Sequence, residues 1–226
     1  MKHQFNVLPR IILTLCLTLL YSTPIFSEPP NLSLVRKDVV NYHDSGLYYK
    51  DLENKIKQAQ QYIVEQVKLH KNNKSSNKLA LVLDIDETSL SNYDKMVTRD
   101  FVGTKEEIHQ EIMAANAKVI KPMLALYNTA LKQGIKVFFV TGRHESERNA
   151  TQINLTKAGY KHWAGLYLRP KNYSHSSIIP FKSKAREDIT KQGYTIIATI
   201  GDQYSDIRGG YAKKGFKLPN PFYYLP

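Results

Sequence analysis

Asp84-Ile85-Asp86 places two carboxylates two residues apart, directly after the apolar run Leu79–Leu83. In extended backbone successive side chains point in opposite directions, so one carboxylate can face a ligand while the following turn carries the second round to it. Carboxylates can attack an electrophile, hold and move a proton, or bind a hard cation. An acidic pair at a strand end also serves as a helix cap or a solvated loop, so this pair alone does not decide between chemistry and structure. Gly201-Asp202-Gln203-Tyr204-Ser205-Asp206 adds two carboxylates four residues apart after the apolar run Thr195–Ile200. With Asp84 they can build an oxygen-only site of the kind Mg2+ prefers. Asp202 as a bare N-cap is the structural alternative, but four converging carboxylates repel one another unless a cation lies among them.

Thr141-Gly142-Arg143 follows the apolar run Ile135–Val140 and offers a hydroxyl and free backbone amides at a strand-to-helix junction. Such amides favour an anion. Lys182 and Lys184 stand at the start of an expected helix, where the helix dipole disfavours cations. Holding an anionic ligand is one reason to place a lysine there, and a solvated face is the other, especially for Lys184.

These residues need elements to position them. Leu79–Leu83, Ile135–Val140 and Thr195–Ile200 are continuous apolar runs of strand length, as expected for parallel strands covered on both faces. A shorter strand is expected over Leu166–Leu168. Leu52, Ile56, Ala59, Ile63 and Val67 recur at helical spacing and predict an amphipathic helix ending near His70. Further helices are expected over Thr104–Lys118, from Pro122 to Gly134, over Glu145–Ala158 and over Phe181–Gln192. Residues 31–41 read as a lead-in segment and Lys71–Lys78 as a polar linker. Strands alternating with helices imply an α/β fold, a Rossmann-like parallel sheet flanked by helices. Ligands bind such sheets beyond the carboxyl ends of the strands, which gathers Asp84, Asp86, Thr141, Gly142 and Asp202 at one edge.

The four stretches occur in the order of the motifs of the haloacid dehalogenase superfamily, and the chain resembles that superfamily. Asp84–Thr88 matches its first motif, Thr141 its second, a lysine of Phe181-Lys182-Ser183-Lys184 its third, and Gly201-Asp202 through Asp206 its fourth. The stretches Asp84–Tyr93, Phe181–Arg186, Gly201–Asp206 and Phe216–Tyr224 resemble the secreted acid phosphatases of that superfamily, the bacterial class B and class C enzymes and the plant vegetative storage proteins. The likeness runs from about Ser45 onward. It implies an Mg2+-dependent acid phosphatase acting on small phosphate monoesters. Asp84 would be the nucleophile, and Asp86 the acid and base and, through its backbone carbonyl, a metal ligand. Asp202 would bind the metal directly and Asp206 from the outer shell. Thr141, the Gly142 amide and Lys182, preferred to Lys184, would hold the phosphoryl oxygens. Since the span between the first two motifs is short, a small helical cap is expected, with substrate selection falling to the amino-terminal helix, Thr104–Lys118 and loop aromatics. The class C likeness suggests nucleoside 5′-monophosphates, with the base stacked on Tyr93 or Tyr204. The rival reading is a non-catalytic storage or binding protein on the same fold, whose expected mark is loss of the nucleophile.

The first 27 residues carry Lys2 and Arg10 ahead of the apolar run Ile11–Leu20, then Ser22, Thr23 and Pro24. That is the pattern of a secretory signal peptide, with cleavage expected near Ser27 and the acid phosphatase domain over residues 28–226. A secreted or periplasmic protein with no stable membrane insertion after cleavage follows. Cys16 is the single cysteine of the sequence and lies inside the apolar run with leucine before it, which argues against lipidation. A mature chain without cysteine excludes disulfides, thiolate catalysis and cysteine-ligated zinc. Basic residues would outnumber acidic ones 30 to 20 after cleavage, a formal +10. That charge suits anionic substrates, and with no long basic block no nucleic-acid partner is expected. A homodimer is a further possibility.

Overall fold

The sheet is built from strands whose two faces are both apolar. A computed structural model describes residues 28–72 and 77–225. The chain divides at Asn31, and every element named below belongs to the unit that begins at Leu32. In chain order the elements are α1 (Leu32–Asp44), α2 (Leu47–Asn72), β1 (Lys78–Leu83), β2 (Leu90–Ser91), α3 (Tyr93–Thr98), α4 (Lys105–Met113) and β3 (Lys118–Val119). There follow α5 (Lys121–Lys132), β4 (Lys136–His144), a short 3-10 turn (Glu145–Glu147), α6 (Arg148–Lys157), β5 (Gly165–Arg169), α7 (Ile179–Lys191), β6 (Tyr194–Gly201), α8 (Tyr204–Ile207) and β7 (Gly215–Lys217). The five-stranded sheet has the order β5-β4-β1-β6-β7, and each pairing in it is parallel.

Alternation along the strands feeds two cores. Leu79, Leu81 and Leu83 of β1 join Val137 and Phe139 of β4 under α2 and α5, while Ala80, Val82, Phe138 and Val140 pack on the other face with Ala185 and Ile189 of α7. Burying both faces is what makes these strands read as unbroken apolar runs. The helix α2 presents Tyr48, Leu52, Ile56, Ala59, Ile63 and Val67 to the core, a stripe at helical spacing. Since β1 lies between β4 and β6, the chain reverses its winding direction there, and the crevice that opens beyond such a reversal is the ligand position of doubly wound sheets.

Several expected boundaries move. Residues 32–41 belong to α1, which buries no residue completely; Val39, Tyr42 and His43 lean on the core, so its sequence carries little periodic signal. The helix expected over Thr104–Lys118 stops at Met113. Thr104 and Glu107 form a reciprocal capping box at its start. Beyond its end Ala115 takes φ +48 and the Asn154 side chain bonds both the amide and the carbonyl of Ala117, at 2.9 Å each, turning the chain into β3. Here β3 pairs antiparallel with β2, so the insertion between β1 and α5 is a ribbon with two short helices. The helix α2 runs on to Asn72, and residues 73–76 of the expected linker lie outside the described residues, as does the expected signal peptide. No helix among the described residues is long and apolar enough to cross a membrane.

Candidate active site

Beyond β1 the ladder continues for one bond, from the Asp84 amide to the Ile200 carbonyl at 3.0 Å, and the Ser89 hydroxyl donates to the Asp84 carbonyl at 2.7 Å. The Asp84 backbone is therefore held on both sides and its buried carboxylate projects past the sheet edge. One carboxylate oxygen from each of Asp84, Asp202 and Asp206 lies within 4.8 Å of the others. Lys182, in the second turn of α7, donates from Nζ to Asp84 Oδ1 at 2.9 Å and also pairs with Asp206 Oδ1. All four side chains are buried, so one ammonium faces three carboxylates and leaves the group net negative.

The electrostatics follow from that count. Burial, then the charge of Asp206, push the Asp84 carboxyl well above the usual carboxylate range, and Lys182 only partly opposes them. Asp202 is raised by burial and Asp206, with hydrogen bonds from Asn220 and Gln203 working the other way. Burial disfavours the charge of Lys182, but Asp206 and Asp84 outweigh it and hold the ammonium charged. An all-oxygen, buried, under-neutralised donor set fits a hard divalent cation.

The carboxylate of Asp86 turns away from this group. Arg143 Nε lies 2.9 Å from its Oδ2 and the terminal guanidinium nitrogen 2.6 Å from its Oδ1, while Asn92 donates to Oδ1 at 2.8 Å. The expected convergence of four carboxylates is thus a convergence of three, with the fourth held by a cation of its own. Burial works to raise the Asp86 carboxyl, yet the charge of Arg143 and the hydrogen bonds from Arg143 and Asn92 bring it below the usual range. Arg143 is itself fixed by a bond to the Thr151 hydroxyl at 3.1 Å. Next to it, Glu87 takes φ +53 and is buried. Burial and the Asp86 charge push its carboxyl up to about 8, against the hydrogen bond from the Asn92 amide.

Thr141 and Gly142 lie inside β4 rather than after it, where the register with β5 breaks between Val140 and His144. The Thr141 hydroxyl accepts from the Arg143 amide at 3.2 Å. Lys184, the alternative to Lys182, is exposed and pairs with Glu187 and Asp188 at 2.8 Å each. Of the two tyrosines expected to stack on a base, one is buried and the other half exposed. Tyr93 is buried, its ring stacks on His43 with centroids 3.2 Å apart, and its hydroxyl donates to Asp44 at 2.9 Å. Tyr204 is half exposed, but the Arg208 guanidinium lies 4.6 Å from its ring centroid.

Residues that motif reading left without a role surround the carboxylates. Thr88 donates to Asp202 Oδ1 at 3.1 Å, and Gln203 and Asn220 donate to its Oδ2 at 2.7 and 2.6 Å. Tyr223 donates to Glu87 at 3.2 Å. Asn92 and Asn220 stand in stretches already singled out by resemblance, which is where a signal for them lay. A cavity of about 240 Å3 lined by Ser91, Asn92, Lys95 and Asn116 shares Asn92 with this corner. A larger groove of about 780 Å3, between α2 and α5, includes none of the site residues.

A parallel sheet with carboxylates at the ends of two of its central strands and a buried lysine facing them defines a class of hydrolase, and comparison assigns it. Residues 30–226 match the HAD superfamily, subfamily IIIB (Acid phosphatase). The chain belongs to that family and is a phosphomonoester hydrolase. It is 33% identical over 186 residues to the stem 28 kDa glycoprotein of Glycine max, spanning 80% of this chain and 71% of that protein. It is 35% identical over 148 residues to acid phosphatase 1 of Solanum lycopersicum, 64% of this chain and 58% of that one. The class C acid phosphatase from Bacillus anthracis shares the fold, with a TM-score of 0.65 and 19% identity over 84% of this chain and 86% of that one.

Proposed function

We propose that the chain hydrolyses small phosphate monoesters through an aspartyl-phosphate on Asp84, with Mg2+ held by Asp84, Asp202, the Asp86 backbone carbonyl and, from the outer shell, Asp206. The observation that carries this reading is the meeting of three buried carboxylates within 4.8 Å against one buried lysine. Bound there, Mg2+ would supply the positive charge that lets an anionic nucleophile and an anionic phosphate approach each other. An Asp84 oxygen attacks phosphorus and the ester P–O bond breaks, its oxygen taking a proton from Asp86. Asp86 then accepts a proton from water, whose oxygen attacks phosphorus to release inorganic phosphate and restore Asp84. Arg143 and Asn92 hold Asp86 in position for both transfers. The Thr141 hydroxyl, the Gly142 amide and Lys182 stabilise the phosphoryl oxygens.

Export is proposed on the charged and apolar pattern of residues 1–27. Nucleoside 5′-monophosphates are the proposed substrate class, tested by comparing AMP with glycerol phosphate; equal kcat/KM would make the enzyme a broad phosphatase. The metal reading is tested on chelator-treated protein with a chromogenic phosphate ester. Hydrolysis is expected to vanish and to return with Mg2+, and undiminished activity in metal-free protein would overturn it.

A further inference from the structure

We propose that the segment Asn220–Leu225 is a strap that orients Asp202 toward the cation, with Asn220 as its positioning residue. This inference rests on the proposed metal site and concerns what sets its affinity. The segment follows β7 once the Leu218 amide has bonded the Gly201 carbonyl at 2.8 Å, immediately beside Asp202. Asn220 then lies between Pro219 and Pro221, whose rings restrict the local backbone.

The orientation of the Asn220 amide is determined by its neighbours. Its Oδ1 accepts from the backbone amides of Phe222 at 2.8 Å and Tyr223 at 3.4 Å, an Asx turn that occupies the oxygen. The nitrogen is left to face Asp202, donating to Oδ2 at 2.6 Å. The segment fixes a second carboxamide in the same way. Gln203 Oε1 accepts from the Leu225 amide at 3.2 Å, which turns Gln203 Nε2 toward the same Asp202 oxygen at 2.7 Å. Two donors oriented by one stretch of backbone therefore converge on Asp202 Oδ2, while Thr88 donates to Oδ1. Tyr223 adds a bond from the same segment to Glu87.

The strap is anchored away from the carboxylates. Phe222 is buried against His43, Tyr48, Tyr93 and Phe101, with ring centroids 5.0 to 6.2 Å apart. Its anchor therefore belongs to α1, α2 and the insertion, while its polar side chains belong to the cation corner. Partners that orient a ligand carboxylate change metal affinity when removed, typically by about 10- to 100-fold.

The experiment uses the whole chain, stripped of metal and titrated with Mg2+ by calorimetry, in wild type, Asn220→Ala and Phe222→Leu. Asn220→Ala is expected to weaken Mg2+ binding about tenfold or more. The Mg2+ concentration for half-maximal hydrolysis should rise by the same factor, with kcat at saturating Mg2+ lowered less than about threefold. Phe222→Leu, which touches no carboxylate, is expected to weaken Mg2+ binding in the same direction by a smaller factor, and it decides the matter if Asn220→Ala does not fold. Melting in EDTA reports the fold of each variant independently of metal. Unchanged Mg2+ affinity in a folded variant overturns the strap alone. Failure of the wild type to bind Mg2+ overturns the metal reading and the strap with it.

Discussion

Asp86 and Arg143 come from the ends of neighbouring strands and meet as a two-point ion pair, Nε to Oδ2 at 2.9 Å and the terminal nitrogen to Oδ1 at 2.6 Å. Two residues earlier Asp84 is held by Lys182 instead, so adjacent carboxylates have different cations and face different ways. The proposed nucleophile and the proposed proton carrier are thereby separated within one loop. Arg143→Ala should leave Asp86 held by Asn92 alone and lower kcat about 10- to 100-fold. Because the arginine is buried, stability should also fall by about 1–3 kcal/mol. Steady-state kinetics and denaturant titration check both, and a fall in stability with kcat intact would remove the positioning role.

Lys182 and Lys184 give an internal control. Lys182→Met should lower kcat by about 10²- to 10³-fold, because the buried cation proposed to hold the phosphoryl oxygens is lost. Lys184→Ala removes an exposed lysine paired with two acidic residues, and exposed pairs contribute about 0–1 kcal/mol. Its activity should stay within about twofold of wild type. Comparable losses in the two variants would contradict the assignment.

Gly201 and Asp206 approach so closely that a Cβ on Gly201 would lie 2.1 Å from the Asp206 carboxyl carbon. Gly201→Ala must therefore displace Asp206 from Lys182 and from the Gln203 amide it accepts from at 2.8 Å. Overpacking of this kind costs about 1–3 kcal/mol. The melting temperature should drop by about 3–10 °C, and activity should fall with it. Wild-type melting and turnover would mean that the loop accommodates the methyl group.

The sheet and the carboxylates were legible because both depend on short-range pattern. Leu79–Leu83, Ile135–Val140 and Thr195–Ile200 announce themselves as apolar runs, and Asp84 and Asp202 follow the strands built on the first and third of them, whereas Thr141 and Gly142 lie within β4. What escaped depends on distant partners. The α1 helix buries no residue fully, β3 exists because Asn154 bonds Ala117 from 37 positions away, and Asn220 reaches Asp202 only after β7 has brought it alongside Gly201. Tyr93 looked available because it lies nine residues after Asp84, yet His43 and Asp44 from α1 already occupy its ring and its hydroxyl. Sequence distance from Asp84 does not report which face of a ring is taken.

The claim on which the rest depends is that Asp84 carries the phosphoryl group. In Asp86→Asn the release of an activated aryl leaving group needs no proton donor, whereas attack of water still needs a proton acceptor, so the intermediate should accumulate. Acid-quenched Asp86→Asn, incubated with an aryl phosphate and Mg2+ and digested for mass spectrometry, should carry one phosphoryl group on the peptide containing Asp84. The double variant Asp84→Asn, Asp86→Asn should carry none, and Asp84→Asn alone should lose turnover by several orders of magnitude while keeping its fold. Phosphate release by folded Asp84→Asn at a rate comparable to wild type would contradict the account.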